Sequence, residues 1–201
     1  MNRYSAFSIL ILICLLPGFL GAQSVSELKS KLNRTQSKTE KMNLSYQIAE
    51  KLLASSPGEA ANYAFNASAL ASELGEKRRE AEAIHMSAEG LYRKRSYKES
   101  AVRFNSAWNT ARNYGLYDLA LSSMGRLQDI ALKENNLKEA LKWSQETVNY
   151  LKGNTGRSTS SGDALRRLET QLAAVQTENR ILREQLASLS AGDFEAAFNK
   201  G

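Results

Sequence analysis

Cysteine, histidine and proline are nearly missing from this chain: the 201 residues hold one Cys, one His and two Pro. Cys14 lies in an apolar run near the N-terminus, and without that run there is no thiol, hence no disulfide framework and no thiolate chemistry. The fold must rest on apolar packing alone. His85 has no cysteine and no HExxH helix to join it in a metal site. The segment Gly153-Asn154-Thr155-Gly156-Arg157-Ser158 lacks the spacer and the lysine of a phosphate loop, and no strand precedes it. Glu and Asp are plentiful, but no pair is singled out for acid–base work. The reading is non-enzymatic, with no cofactor and no metal.

The charge is +6, falling to +5 if Arg3 is removed with the leader. A basic balance can mark a nucleic-acid binder. Here the cations alternate with Glu, as in Glu76-Lys77-Arg78-Arg79-Glu80, the pattern of a solvated helix end. The densest group, Arg93-Lys94-Arg95 with Lys98, falls at a predicted helix C-terminus, where cations offset the macrodipole. No nucleic-acid partner is expected.

The opening residues follow the order of a secretory signal peptide: Arg3, an apolar run from Ala6 to Leu16, the breakers Pro17-Gly18, then Leu20-Gly21-Ala22 before Gln23. The run is shorter than the ~20 residues of a spanning helix. Ile13 before Cys14 does not match a lipoprotein signal, which wants a small residue there. The expectation is cleavage after Ala22, contact with the membrane only in transit, and export, most simply to a periplasm.

Between residues 41 and 152 the sequence repeats every forty residues. Ser56-Pro57-Gly58-Glu59, Ser96-Tyr97-Lys98-Glu99 and Asn136-Leu137-Lys138-Glu139 each read as a capping box, with small residues following at Ala60, Ser100 and Ala140. First helices are predicted over 41–54, 81–94 and 121–134, with Leu44, Ile48, Leu52, Ile84, Ala88, Tyr92, Met124, Leu127 and Leu132 on their apolar faces. Second helices are predicted over 57–74, 97–114 and 137–151, presenting Tyr63, Phe65, Leu70, Phe104, Trp108, Tyr114, Leu141, Val148 and Leu151. Gly75 and Gly115 sit where a left-handed C′ residue ends a helix. A helix carrying Val25, Leu28 and Leu32, within 23–40, precedes the first unit and reads as its N-terminal cap. Such hairpins bury their apolar faces only by stacking.

The unit resembles a tetratricopeptide repeat in a forty-residue form. Leu91-Tyr92-Arg93-Lys94-Arg95-Ser96-Tyr97-Lys98-Glu99-Ser100-Ala101 carries the likeness, with Asn136-Leu137-Lys138-Glu139-Ala140-Leu141 close behind. It departs at the family's first-helix Gly, replaced by Ile48, Ala88 and Gln128, and lacks the closing Pro. The resemblance implies an all-α helical-hairpin solenoid of about three repeats. It also implies a concave groove lined by the first helices at Ser45, Ala49, Leu53, His85, Glu89, Tyr92, Arg93, Asp129 and Lys133. Members that clamp a C-terminal carboxylate carry Lys and Asn at the positions of Ser45/Ala49, His85/Glu89 and Gly125/Asp129, so that mode is not expected here. A mixed-charge groove with Tyr92 suits an extended or helical peptide segment.

Residues 153–162 turn to Gly, Ser, Thr and Asn and read as a flexible linker. A heptad seam follows within 163–190: Leu165, Leu168, Leu172, Val175, Asn179, Leu182, Leu186 and Leu189 occupy a and d positions. An a-position Asn179, with Glu178 at g and Arg183 at e, predicts a parallel homodimer. The same helix is also in phase with a further first helix, so it can instead cap the stack. Residues 191–201 form a tail. Leader, repeats and coiled coil in this order also resemble the extracytoplasmic input region of bacterial repeat-containing sensor kinases and regulators. That alternative requires an output domain beyond Gly201. The first expectation is a protein-interaction scaffold.

Overall fold

The computed structural model describes residues 24–155 and 162–198. The predicted signal peptide and residues 156–161 of the predicted linker lie outside them. The described residues are all helical: α1 (Val25–Arg34), α2 (Lys38–Leu52), α3 (Pro57–Leu74), α4 (Lys77–Arg93), α5 (Tyr97–Asn113), α6 (Tyr117–Lys133), α7 (Leu137–Thr155) and α8 (Gly162–Phe198). Each helix packs on the next, while α2 also touches α4 and α4 touches α6. The short connections make neighbours antiparallel. The result is a repeat-like row in which the even-numbered helices α2, α4 and α6 lie side by side.

The connections explain the regularity. Gly75, Arg95, Gly115 and Asn135 all take positive φ, between 57° and 74°. In each turn the next residue donates its N–H to a carbonyl five residues back: Glu76 to Ala71, Ser96 to Leu91, Leu116 to Ala111 and Asn136 to Ala131, at 2.8–2.9 Å. This is the Schellman closure, which satisfies the last carbonyls of one helix and reverses the chain. The structural period is therefore one helix and one turn, with helices opening at Lys77, Tyr97, Tyr117 and Leu137.

The hydrogen bonds at the helix starts correct the capping-box reading. Ser56 and Ser96 make no side-chain cap bond, and only Asn136 accepts from the N–H of Glu139, at 3.1 Å. The N–H that the box's Glu would take is already given to the preceding helix, by Ser56 to Leu52 and by Ser96 to Leu91. A complete box occurs instead at Ser24–Glu27, opening α1. The first helices also begin earlier than predicted: at Lys38, where Ser37 caps α2, and at Lys77 and Tyr117, directly after the tight turns. α7 runs on through Gly153 and Asn154, where Asn154 donates to the Tyr150 carbonyl.

Packing follows the small residues. Ala60, Ala61, Ala64, Ala67, Ala71, Ser100, Ala107 and Ala140 are at most 2% exposed, so the helices cross closely. Buried hydroxyls are tied to backbone carbonyls: Ser100 Oγ donates to Ala88 and Ser87 Oγ to Ala61. Leu28 of α1 is fully buried among Leu44, Ile48, Leu52 and Ala60, closing the N-terminal end. Burying it contributes roughly 2 kcal/mol. Phe65, Tyr114 and Leu132, predicted on apolar faces, are exposed. Arg103 lies over the Phe65 ring at 4.4 Å and Lys77 over Tyr114 at 5.8 Å, so cations cover two of these surfaces in place of a core.

The tightest approach is at Gly90. A Cβ there would stand 2.5 Å from the Pro57 carbonyl oxygen and 2.9 Å from Ala61. Gly90→Ala should cost about 1–3 kcal/mol through overpacking. Gly125→Ala, on an exposed helical site with open space around it, should be neutral or stabilise by up to ~1 kcal/mol. Urea denaturation of the two variants checks the contrast; equal stabilities would refute the close crossing of α3 and α4.

Candidate functional site

The side-by-side even helices build one continuous polar strip, and its register is regular. Glu89 of α4 accepts from Arg126 Nη2 of α6 at 3.0 Å, Tyr92 Oη of α4 donates to Asp129 of α6, and His85 of α4 meets Ser122 of α6. All three pairs are 37 residues apart, close to the forty-residue repeat less one helical turn. That offset is the shift with which one first helix lies against the next.

At the centre sits Glu89, only 7% exposed. Arg93, one turn on, donates Nε to Oε1 at 3.0 Å, so two guanidinium groups share that oxygen. Arg126 Nε also stands 3.0 Å from Oε2, an ionic contact off the hydrogen-bonding angle, and Oε2 is buried without a hydrogen bond. Arg126 at the same time covers the Tyr92 ring at 4.8 Å, with Lys133 5.9 Å away on that ring and Tyr97 packed at 5.7 Å. Burial first, and the bond to Asp129 second, raise the Tyr92 phenol above its ordinary pKa. Lys133 ends the strip 4.0 Å from Asp129.

His85 is held at both ring nitrogens. Ser123 Oγ donates to the Leu119 carbonyl, so it accepts from His85 Nδ1 at 2.9 Å, which leaves Nε2 to accept from Ser122 at 3.4 Å. Phe104 packs against the ring edge-on at 5.1 Å. Burial pushes the imidazole down to about 4, against an upward pull from Glu89 and a smaller downward push from Arg126. His85 is thus a neutral bridge between α4 and α6 and does not titrate near its ordinary 6.5.

Beyond His85, a cleft of about 500 Å³ opens between the starts of α4 and α6, with Arg78, Glu82, Tyr117, Asp118 and Ser122 on its walls. Arg79 pairs with Glu82 at 3.2 Å and lies over the Tyr46 ring at 4.4 Å, which extends the strip to α2. The Tyr117 hydroxyl is buried without a hydrogen bond and is pushed up to about 12, by burial first and then by Tyr150 and Asp118.

Of the expected groove residues, His85, Glu89, Tyr92, Arg93, Asp129 and Lys133 share this strip. Ser45 and Ala49 do not line an open surface: they are 3% and 0% exposed, because small side chains on α2 sink where it packs on its neighbours. Leu53 packs against the Leu28–Ile48 cluster as part of the N-terminal core. Sequence reasoning missed Tyr46, Arg79, Ser122 and Arg126. The signal for Arg126 was the 37-residue register from an acidic residue on the previous first helix.

Along α8, the described seam side chains face α7 in part. Leu182 is 3% exposed beside Ala131 and Ala140, Asn179 is 7% exposed, Val175 and Leu186 are half-buried, and Leu189 is 57% exposed. Leu165, Leu168 and Leu172 lie outside the described side chains. Among the described residues no helix is long and apolar enough to cross a membrane, and no cluster of His, Cys, Asp and Glu is arranged to hold a metal. The chain matches no protein-family model and no curated protein.

A depressed imidazole pKa makes stability depend on pH. Between about 4 and 6.5 the unfolded chain binds the proton that the folded chain refuses, so stability falls as pH falls through that window and is complete above it. The loss at pH 4 should be about 3 kcal/mol relative to neutral pH. A His85→Gln variant should lack this component, so the wild-type advantage over it should shrink by that amount between pH 7 and pH 4. Denaturant titrations of both proteins across this range decide it; parallel pH profiles would refute the neutral, half-buried bridge.

Proposed function

We propose that this chain is an exported, non-enzymatic protein-interaction scaffold of the tetratricopeptide type, which holds a peptide segment of another envelope protein along the strip formed by α4 and α6. The observation that carries this reading is the inter-helix network at constant register, His85–Ser122, Glu89–Arg126 and Tyr92–Asp129. It stiffens a polar face before any partner arrives, which lowers the ordering cost of binding.

The chemistry of the strip describes its partner. Cations and carboxylates are interleaved and mutually paired, so neither an acidic nor a basic polyelectrolyte is favoured. Arg93 and Lys133 remain well exposed at one end, Tyr92 offers an aromatic surface between them, and the 500 Å³ cleft at the other end has room for a side chain. This suits an extended or helical peptide of mixed charge with one bulky anchoring residue. The non-enzymatic reading is supported by the engagement of both His85 nitrogens and by the ion pairs that hold Glu89 and Asp129.

Photo-crosslinking side chains placed at Ser122 and Arg93, on the strip, and at Val102 and Asn109, on α5, test the proposal in the exporting cell. Adducts with one protein from the strip positions only, weakened at least tenfold by Tyr92→Ala, are the expected result. Adducts from α5 alone, or from all four positions equally, would move the binding face elsewhere.

A further inference from the structure

The most regular motif in the chain is the heptad seam of α8, and the fold covers its middle with the chain's own stack. Asn179 and Leu182, consecutive a and d residues, are buried where α8 packs on α7, with Leu182 clustered with Ala131 at the end of α6 and with Ala140, Leu137 and Leu141 of α7. A bond from Arg183 Nη2 to Gln145 Oε1 of α7, at 3.0 Å, ties the two helices together.

The fit is incomplete at Asn179. Its Oδ1 accepts from Arg183 Nε of the same helix at 2.9 Å, but Nδ2 is buried without a hydrogen bond. A buried amide donor left unmade opposes the docked state. In a parallel two-stranded zipper an a-position Asn bonds the equivalent Asn of the other strand, which removes that defect. Glu178 at g and Arg183 at e would then face each other across the pair, and Leu189, 57% exposed in the docked state, would be covered.

We propose that α8 has two alternative partners, the α6–α7 end of its own stack and the α8 of a second copy, and that the two states exclude each other because both consume Asn179 and Leu182. The docked state is a capped monomer. Undocking yields a zippered dimer and uncovers Leu137 and Leu141 at the end of each stack. This inference does not depend on what the α4–α6 strip binds.

The test measures the dimerisation constant of the full chain, purified after export, by light scattering and sedimentation equilibrium. Gln145→Lys repels Arg183 and weakens docking without touching the seam, so it should strengthen dimerisation up to about fivefold, while Gln145→Glu should weaken it by a similar factor. Leu189→Glu alters an exposed residue of the docked state, so it should abolish the dimer and leave the monomer's melting temperature unchanged. A chain that stays monomeric to millimolar concentration, even with Gln145→Lys, would overturn the proposal. So would a dimer that survives Leu189→Glu, because it uses another surface. A dimer lost with Leu189→Glu but unmoved by both Gln145 variants would show that capping and zippering do not compete, which also overturns it.

Discussion

Four left-handed residues, Gly75, Arg95, Gly115 and Asn135, set the geometry on which everything else rests. Each reverses the chain within a few residues and sends the next N–H back to the helix just completed. Identical turns bring out helices of identical length, seventeen residues in α4, α5 and α6 alike. Identical helices then stack with one constant shift. Two of these positions hold side chains, Arg95 and Asn135, in a conformation that costs a non-glycine residue about 1–2 kcal/mol. The packing that follows each turn offsets this.

The constant shift makes a strip out of scattered residues. Charges that are unremarkable along one helix become partners because α4 and α6 are displaced by about one turn, so Glu89 finds Arg126 and Tyr92 finds Asp129. Close crossings, set by Ser100, Ala140 and Gly90, hold the helices near enough for these bonds. The strip consequently interleaves cations with carboxylates that pair across it.

The two ends of the row differ in finish. At the N-terminal end Leu28 fills its site completely and Ser24 with Glu27 completes a capping box. At the other end α8 fills its site with a heptad residue, Leu182, and strands the amide of Asn179. One end is closed with its polar groups satisfied, and the other leaves a buried amide donor unmade.

Much was legible in the residues themselves. Apolar spacing located every helix between Leu44 and Leu151, the glycines marked two of the four left-handed turns, and the small residues marked the crossings, because these preferences are local. Arg95 was not legible as a turn residue, since nothing in its chemistry favours positive φ, whereas Asn135 is of a type that tolerates it. None of the three boxes is complete, because the N–H that each Glu would take, of Ser56, Ser96 or Asn136, is already given to the helix before it. Six of the nine expected groove residues lie on one strip, whereas Ser45 and Ala49 are buried and Leu53 is half-buried, by neighbours the sequence does not name. The sequence by itself determined an all-helical, repeat-like chain. Only the tertiary structure decided which charges meet, that His85 stays neutral, and that Asn179 and Leu182 of α8 lie against α7, because each depends on contacts between residues tens of positions apart.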